Sequence, residues 1–274
     1  MKKILAIIPA LMLSGCFMPN IKVVDINDFS YGVFLGIERE DRDKISKYET
    51  VVIDAQYFYG SDISSMKRNG QKVYSYLNIG SLENYRDYYD AFVDITFAEY
   101  ENWDEERWVD VSNESWQNFI LYDLSVELLD KGVDGFFIDN VDVYYYSDER
   151  NDIYEGLCTI LTGLKEKGTY LSINGGDTFV SRYLEENKSV NGIMDAVNQE
   201  TIFSKINWDD ETFGTNDPEE TSYFKEYVET LARLKKDVYL LEYTTDEDLI
   251  KKIKEYCLNK NFKYYISSSL ELTI

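Results

Sequence analysis

From about residue 30 onward, short apolar runs alternate with stretches whose apolar positions recur every three or four residues. The first kind reads as buried strand, the second as amphipathic helix. Eight strands are predicted on this pattern: 31–35, 51–55, 73–78, 135–139, 170–174, 193–199, 238–243 and 264–267. Helical segments fall between them at 41–48, 63–69, 115–131, 153–167, 178–186, 219–235 and 246–259. The segment 115–131 is the clearest, with Trp116, Phe119, Ile120, Leu124 and Leu128 on one stripe and Gly132 as its stop. In 219–235 the residues Tyr223, Tyr227, Leu231 and Leu234 make a comparable stripe.

Eight strands alternating with helices over about 245 residues form the pattern of a (β/α)8 TIM barrel, in the α/β class. An open doubly wound sheet is the alternative, but it usually has fewer strands and a glycine-rich first turn, and no GxGxxG or GxxxxGK(S/T) occurs here. No repeat, low-complexity tract or Pro-rich linker interrupts the alternation. The longest connections, 79–112 and 203–218, follow the third and sixth strands and so belong to the carboxyl face of the barrel, where barrels build their chemistry.

The first residues depart from this pattern. Lys2 and Lys3 precede the apolar run Ile4 to Met12, and Leu13-Ser14-Gly15-Cys16 has the small-residue form of a bacterial lipoprotein cleavage site. The run is too short to span a bilayer. Residues 1–16 are therefore expected to be a lipoprotein signal peptide, with Cys16 lipidated and the exported protein held to a membrane by acyl chains alone. An ordinary secretory signal with an incidental cysteine is the alternative. Residues 17–28 would be a short tether and 29–274 the barrel domain. The remaining length of about 255 residues suits one large α/β domain or two small ones.

Charge and composition narrow the chemistry. The chain carries 51 acidic and 28 basic residues. Loss of the two signal lysines leaves 26 basic residues and a net charge of −25. Nucleic acid is excluded as a partner, because neutralising phosphates needs basic patches. A cationic ligand fits, as does an acidic surface that serves solubility. Histidine is absent. That removes Ser-His-Asp and Cys-His hydrolysis and His-ligated zinc, and leaves carboxylates, tyrosines, lysines or a hard metal ion. Cys158 and Cys257 fall in helical patterns and read as buried free thiols. No cofactor motif is present, and no cofactor is expected.

The stretch Asp134-Gly135-Phe136-Phe137-Ile138-Asp139-Asn140-Val141-Asp142 carries the most chemistry. A turn leads into a short strand apolar enough to be covered on both faces, and polar side chains follow where the strand ends. A carboxylate there sits at the carboxyl edge of a parallel sheet. Asp142 serves equally as a cap of the following helix. Other strands end alike, at Asp54 in the second, Glu200 in the sixth and Glu242 in the seventh. Two carboxylates across an aromatic pocket are what glycoside hydrolysis requires, one protonated to serve the leaving oxygen and one ionised to attack carbon or activate water. Burial and mutual repulsion can separate their pKa values enough for both roles. The 24 tyrosines offer flat faces to sugars, although most tyrosines in any chain serve packing.

Five blocks of the chain resemble glycoside hydrolase family 114, the endo-α-1,4-polygalactosaminidase-like proteins. They are Tyr76 to Arg86, Trp103 with Glu106 to Asp110, Gly132 to Asp142, Asp195 to Glu200, and Val238 to Tyr243. The resemblance implies a (β/α)8 barrel and endo-hydrolysis of α-1,4-linked galactosamine polymers. It puts Asp139 in the position of the nucleophile and Glu200 in that of the acid/base. Asp54, Tyr76, Ser81, Glu83, Arg86, Asn174 and Glu242 would line the sugar subsites, and we add Tyr57, Gly80 and Asp142, which the same strand ends present. Polymers with free amines are cationic, in keeping with the negative charge.

Two other readings stay open on the residues. One is a surface lipoprotein that binds polysaccharide without cleaving it. The other is a protein in which Asp54, Asp139, Asp142 or Glu242 hold Ca²⁺ or Mg²⁺, although no EF-hand spacing occurs. Arg86 is either a surface salt-bridge partner or a donor that keeps a carboxylate ionised. Trp103 and Trp108 are expected to pack the loop after the third strand, with Glu106 and Arg107 as a local ion pair. The acidic run from Asp209 to Glu220 is expected to be a solvated loop.

Overall fold

The strands β1 (Gly32–Phe34), β2 (Thr50–Ile53), β3 (Lys72–Asn78), β4 (Gly135–Asp139), β5 (Tyr170–Asn174), β6 (Ala196–Glu200), β7 (Asp237–Tyr243) and β8 (Lys263–Ser267) pair in parallel, each with the next. The computed structural model describes residues 25–274; the expected signal segment and Cys16 lie outside the described residues. The (β/α)8 barrel read from the alternation is the fold.

The ring is nearly closed. At the seam, Phe34 meets Tyr265 edge-on with centroids 5.0 Å apart, and the Gly36 N–H donates to Leu272 O at 3.4 Å. The Asn27 side chain stands in for a strand there: its amide donates to Ile266 O at 3.1 Å and accepts from Ile266 N–H at 2.7 Å. Unpaired peptide groups at a sheet edge need such partners.

The barrel interior is filled by tyrosines as well as aliphatic residues. Tyr31 stacks on Tyr239 (4.4 Å) and Tyr74 on Tyr170 (4.9 Å), and the Tyr170 and Tyr239 hydroxyls are 3.1 Å apart. These tyrosines pack the core, as most were expected to.

The outer helix between β3 and β4 follows its predicted span, as Glu114–Asn118, a π-helical turn Phe119–Leu124, and Ser125–Asp130. Among its buried residues Trp116, Ile120, Leu124 and Leu128 recur every fourth position, with Leu121 and Ser125 buried beside them. That interval is longer than 3.6 residues, and the wider π turn keeps the stripe on the barrel. The segment 41–48 differs from its prediction: it forms a 3-10 helix, Arg39–Ile45, in which Ile45 alone is buried. Without an apolar stripe nothing holds a longer α-helix in place.

The two long connections carry strands of their own. Residues 79–112 fold an antiparallel sheet from Ser81–Glu83, Glu106–Val109 and Thr96–Glu99, and 203–218 contain the hairpin of Ser204–Asn207 with Thr212–Thr215. Among the described residues no helix is long and apolar enough to cross a membrane.

Candidate active site

A cleft of about 600 Å³ opens at the carboxyl ends of the strands. Asp139 closes β4, Asn174 closes β5 and Glu200 closes β6, so the three reach one wall as neighbours. The Asn174 amide nitrogen donates to Asp139 Oδ1 at 2.8 Å and to Glu200 Oε1 at 2.7 Å. Two oxygens held by one nitrogen lie no farther apart than those lengths combined, 5.5 Å. The Tyr243 hydroxyl donates to the other Glu200 oxygen at 2.8 Å.

The residue after each acid turns the chain sharply: Asn140 has φ 62° and Thr201 φ 53°. Asparagine tolerates this region, but a β-branched residue stays there only under constraint. Thr201 is held by its N–H to Leu241 O (3.0 Å) and by Asn216 Nδ2 donating to its carbonyl (2.9 Å).

Burial pushes both acids above the ordinary carboxylate range. Glu200 rises to about 7, with the Asp139 charge adding to burial and hydrogen bonds from Asn174 and Tyr243 opposing. Asp139 is raised by burial, against hydrogen bonds from Asn174 and the Asn140 N–H. An ionised Asp139 thus helps keep a proton on Glu200.

The facing wall is built differently. The Arg86 guanidinium donates to Asp54 Oδ2 at 2.6 Å and to both Glu83 oxygens at 2.5 and 3.0 Å, and all three side chains are buried. Tyr76 and Tyr85 hydroxyls donate to Glu83 Oε1 at 3.2 and 2.8 Å. Arg86 is thus a buried bridge, not a surface partner. Asp54 is raised by burial, with Arg86 opposing.

The model of glycoside-hydrolase family GH114 matches residues 27–270. The chain belongs to family GH114. It is a glycoside hydrolase. No curated protein sequence matches it. Among solved structures, the glycoside hydrolase domain of PelA from Pseudomonas aeruginosa is similar at a TM-score of 0.74 and 18% identity, over 89% of this chain and 96% of that one. Aspergillus fumigatus Ega3 in complex with galactosamine follows at 0.70 and 18%, over 89% and 92%. The α-galactosidase TtGalA from Thermus thermophilus shares the fold at 0.57 and 12% identity, over 89% of this chain and 58% of its own. At these identities the likeness carries the fold alone.

In this GH114 barrel the cleft wall includes Asp54, Tyr57, Tyr76, Glu83, Arg86, Asp139, Asp142, Asn174 and Glu200. Three residues expected there are elsewhere. A Cβ on Gly80 would fall 1.7 Å from Asn140 O, so Gly80 lets two strand-end loops touch. Ser81 is buried under the wall, bonded to Asn78, Asn140 and Glu106. Glu242 has its neighbour's opposite orientation, since side chains alternate along a strand. While Tyr243 enters the cleft, Glu242 is fully buried behind it and accepts from Phe203 N–H and from Ser204 N–H and Oγ.

Glu106 corrects the reading in the other direction. It lines the cleft and accepts from Ser81 Oγ and Asn140 Nδ2, while Arg107 turns away to pair with Glu99. Burial, then the Glu83 charge, lifts Glu106 to about 8. Asp142 also lines the cleft, accepts from Gly176 N–H at 3.2 Å, and is raised to about 7 by burial and then by Asp177. Trp108 packs as expected, buried between Tyr100 and Tyr146. Trp103 instead lines the rim and meets Trp208 of the hairpin edge-on at 5.7 Å. Since β3 and β6 stand three strands apart, this contact bridges the mouth above β4 and β5. Cys257 is buried, Cys158 half-buried, and both are free. No group of acids or cysteines among the described residues has metal-binding geometry.

Proposed function

We propose that this GH114 hydrolase is an exported lipoprotein, anchored through Cys16, that cleaves α-1,4-linked galactosamine-type polysaccharide by double displacement. The observation that carries the mechanism is the single Asn174 nitrogen shared by the two acids, which keeps their nearest oxygens within 5.5 Å, in reach of a retaining pair and short of the about 6.5–9.5 Å of an inverting one. Asp139 attacks the anomeric carbon as the glycosidic C–O bond breaks, and Glu200 gives its proton to the departing oxygen. Water then adds to the anomeric carbon, its proton returns to Glu200, and Asp139 leaves as carboxylate. Glu200, held near 7, is suited to both proton transfers at neutral pH.

The amino-sugar reading rests on charge. Nine residues lining the cleft are Asp or Glu and one is basic, Arg86, which is already occupied by two of those acids. An ammonium-bearing sugar meets attraction there at the acids that are ionised and not already paired with Arg86. The similar Ega3 structure was solved with galactosamine.

The test is reducing-end release from partly deacetylated α-1,4-galactosaminogalactan by the parent, Asp139→Asn and Glu200→Gln, with the first-formed anomer followed by NMR. Activity lost in both variants and an α-anomeric product support the proposal. A first-formed β anomer overturns the double displacement. Tight oligosaccharide binding without release would make the protein a polysaccharide binder instead.

A further inference from the structure

Below the two acids, buried polar side chains form a file across the barrel. Asn198 on β6 donates its Nδ2 to Asn174 Oδ1 at 2.7 Å, and the Tyr31 hydroxyl, beside β1, donates to Asn198 Oδ1 at 3.1 Å. Asn198 is fully buried and Tyr31 nearly so. The Tyr31 ring is pinned by its stack on Tyr239.

The two ends of an amide have almost the same shape, so packing alone does not choose which faces a partner. If Asn174 turned over, its carbonyl would face Asp139 and Glu200, repel the ionised Asp139 and leave both acids without their shared donor. Asn198 prevents this by presenting a donor where Asn174 must then offer oxygen. Tyr31 in turn presents a hydroxyl to Asn198 oxygen. We propose that Tyr31 and Asn198 are positioning residues that hold the Asn174 amide nitrogen toward the two acids. The inference rests on the double-displacement reading for its effect on rate, but its effect on the acids themselves does not depend on any substrate.

The consequence has a definite sign. Donation from Asn174 favours the ionised form of both acids and lowers both pKa values against the rise that burial causes. Freeing the amide removes that donation, so both acids titrate at higher pH. The other titratable groups facing the pair are Tyr76, Glu83, Tyr100, Glu106, Asp142 and Tyr243. Among the described residues none of them hydrogen-bonds to Tyr31 or Asn198, so removing the file leaves their own bonds in place.

The experiment uses Tyr31→Phe, which deletes one hydroxyl and keeps the stacked ring, and Asn198→Ser as a second variant. Carboxyl ¹³C titrations of Asp139 and Glu200, assigned with Asp139→Asn and Glu200→Gln, are recorded alongside kcat and KM against pH. We expect both acids to titrate higher by about half a pH unit or more in each variant. We also expect kcat to fall roughly ten- to a hundred-fold with KM nearly unchanged, and both limbs of the profile to move to higher pH. A merely structural role would lower the whole profile and leave its limbs in place; that result, or unmoved titrations in a folded variant, overturns the inference. If the titrations move but the parent releases no reducing ends, the file stands and the hydrolytic reading falls.

Discussion

The two walls of the cleft hold carboxylates in contrasting company. On one side Asp54 and Glu83 share the Arg86 guanidinium, every member buried. On the other, Asp139 and Glu200 share only the neutral amide of Asn174. A guanidinium favours the ionised state of its partners by direct attraction, whereas an amide donor does so weakly and leaves burial to dominate. Residues of one type therefore become a salt-bridged support on one wall and, on the other, a pair raised by burial in which Glu200 exchanges its proton near neutrality. Glu106 and Asp142, equally without a cation, extend the second kind of environment, at about 8 and about 7.

The sharpest way to break this contrast is to remove the acids of the second wall. Asp139→Asn should abolish polymer cleavage, and Glu200→Gln should reduce it by about 10²–10⁴-fold, both read as reducing ends released. Equal retention of activity in either would deny that wall its proposed role. Arg86→Met tests the first wall and should destabilise the fold by about 3–5 kcal/mol in urea denaturation, because two buried carboxylates lose their counter-charge. A loss below 1 kcal/mol would mean that Arg86 is dispensable to the wall.

The next effect has opposite sign. Glu200, Asp142 and Glu106 bind their protons more tightly folded than unfolded, since burial raises each one. Their contribution to stability is full below about pH 4 and is lost as pH climbs through about 7 to 8. Melting temperature should accordingly fall between pH 5 and 9, and Glu200→Gln should gain roughly 1–2 kcal/mol at pH 8 and little at pH 4. A melting temperature that rises over that range would contradict the assignment. The smallest effect is expected at the rim: Trp208→Ala should raise KM for polymer about two- to tenfold with kcat on short substrates unchanged, as one aromatic contact is removed. No change would make the Trp103–Trp208 bridge a matter of loop packing.

Much of this was legible along the chain. Strands β4 and β5 begin and end where they were read, because each is a short, largely apolar run covered on both faces and closed by a polar residue, Asp139 or Asn174. The helix over 115–131 was likewise legible from its apolar stripe, although the π turn at Phe119–Leu124 within it was not. The strands inside the two long connections were not visible. Thr96–Glu99 is half-buried at best, and its pattern reads as loop. Glu106 was misread because its sequence neighbour Arg107 invited a local pair, while the partners that bury it, Ser81 and Asn140, come from distant positions.

The sequence by itself determined that a parallel barrel would form and that acids would end several of its strands, since periodicity and strand-end polarity are local properties. Tertiary structure alone decided which of those acids reach the cleft and what surrounds each one. Glu242 and Tyr243 are adjacent in the chain, yet one is sealed behind β7 and the other donates to Glu200. Whether a carboxylate keeps its proton depends on burial and on the donor across the barrel, and those are set by strands far apart in sequence.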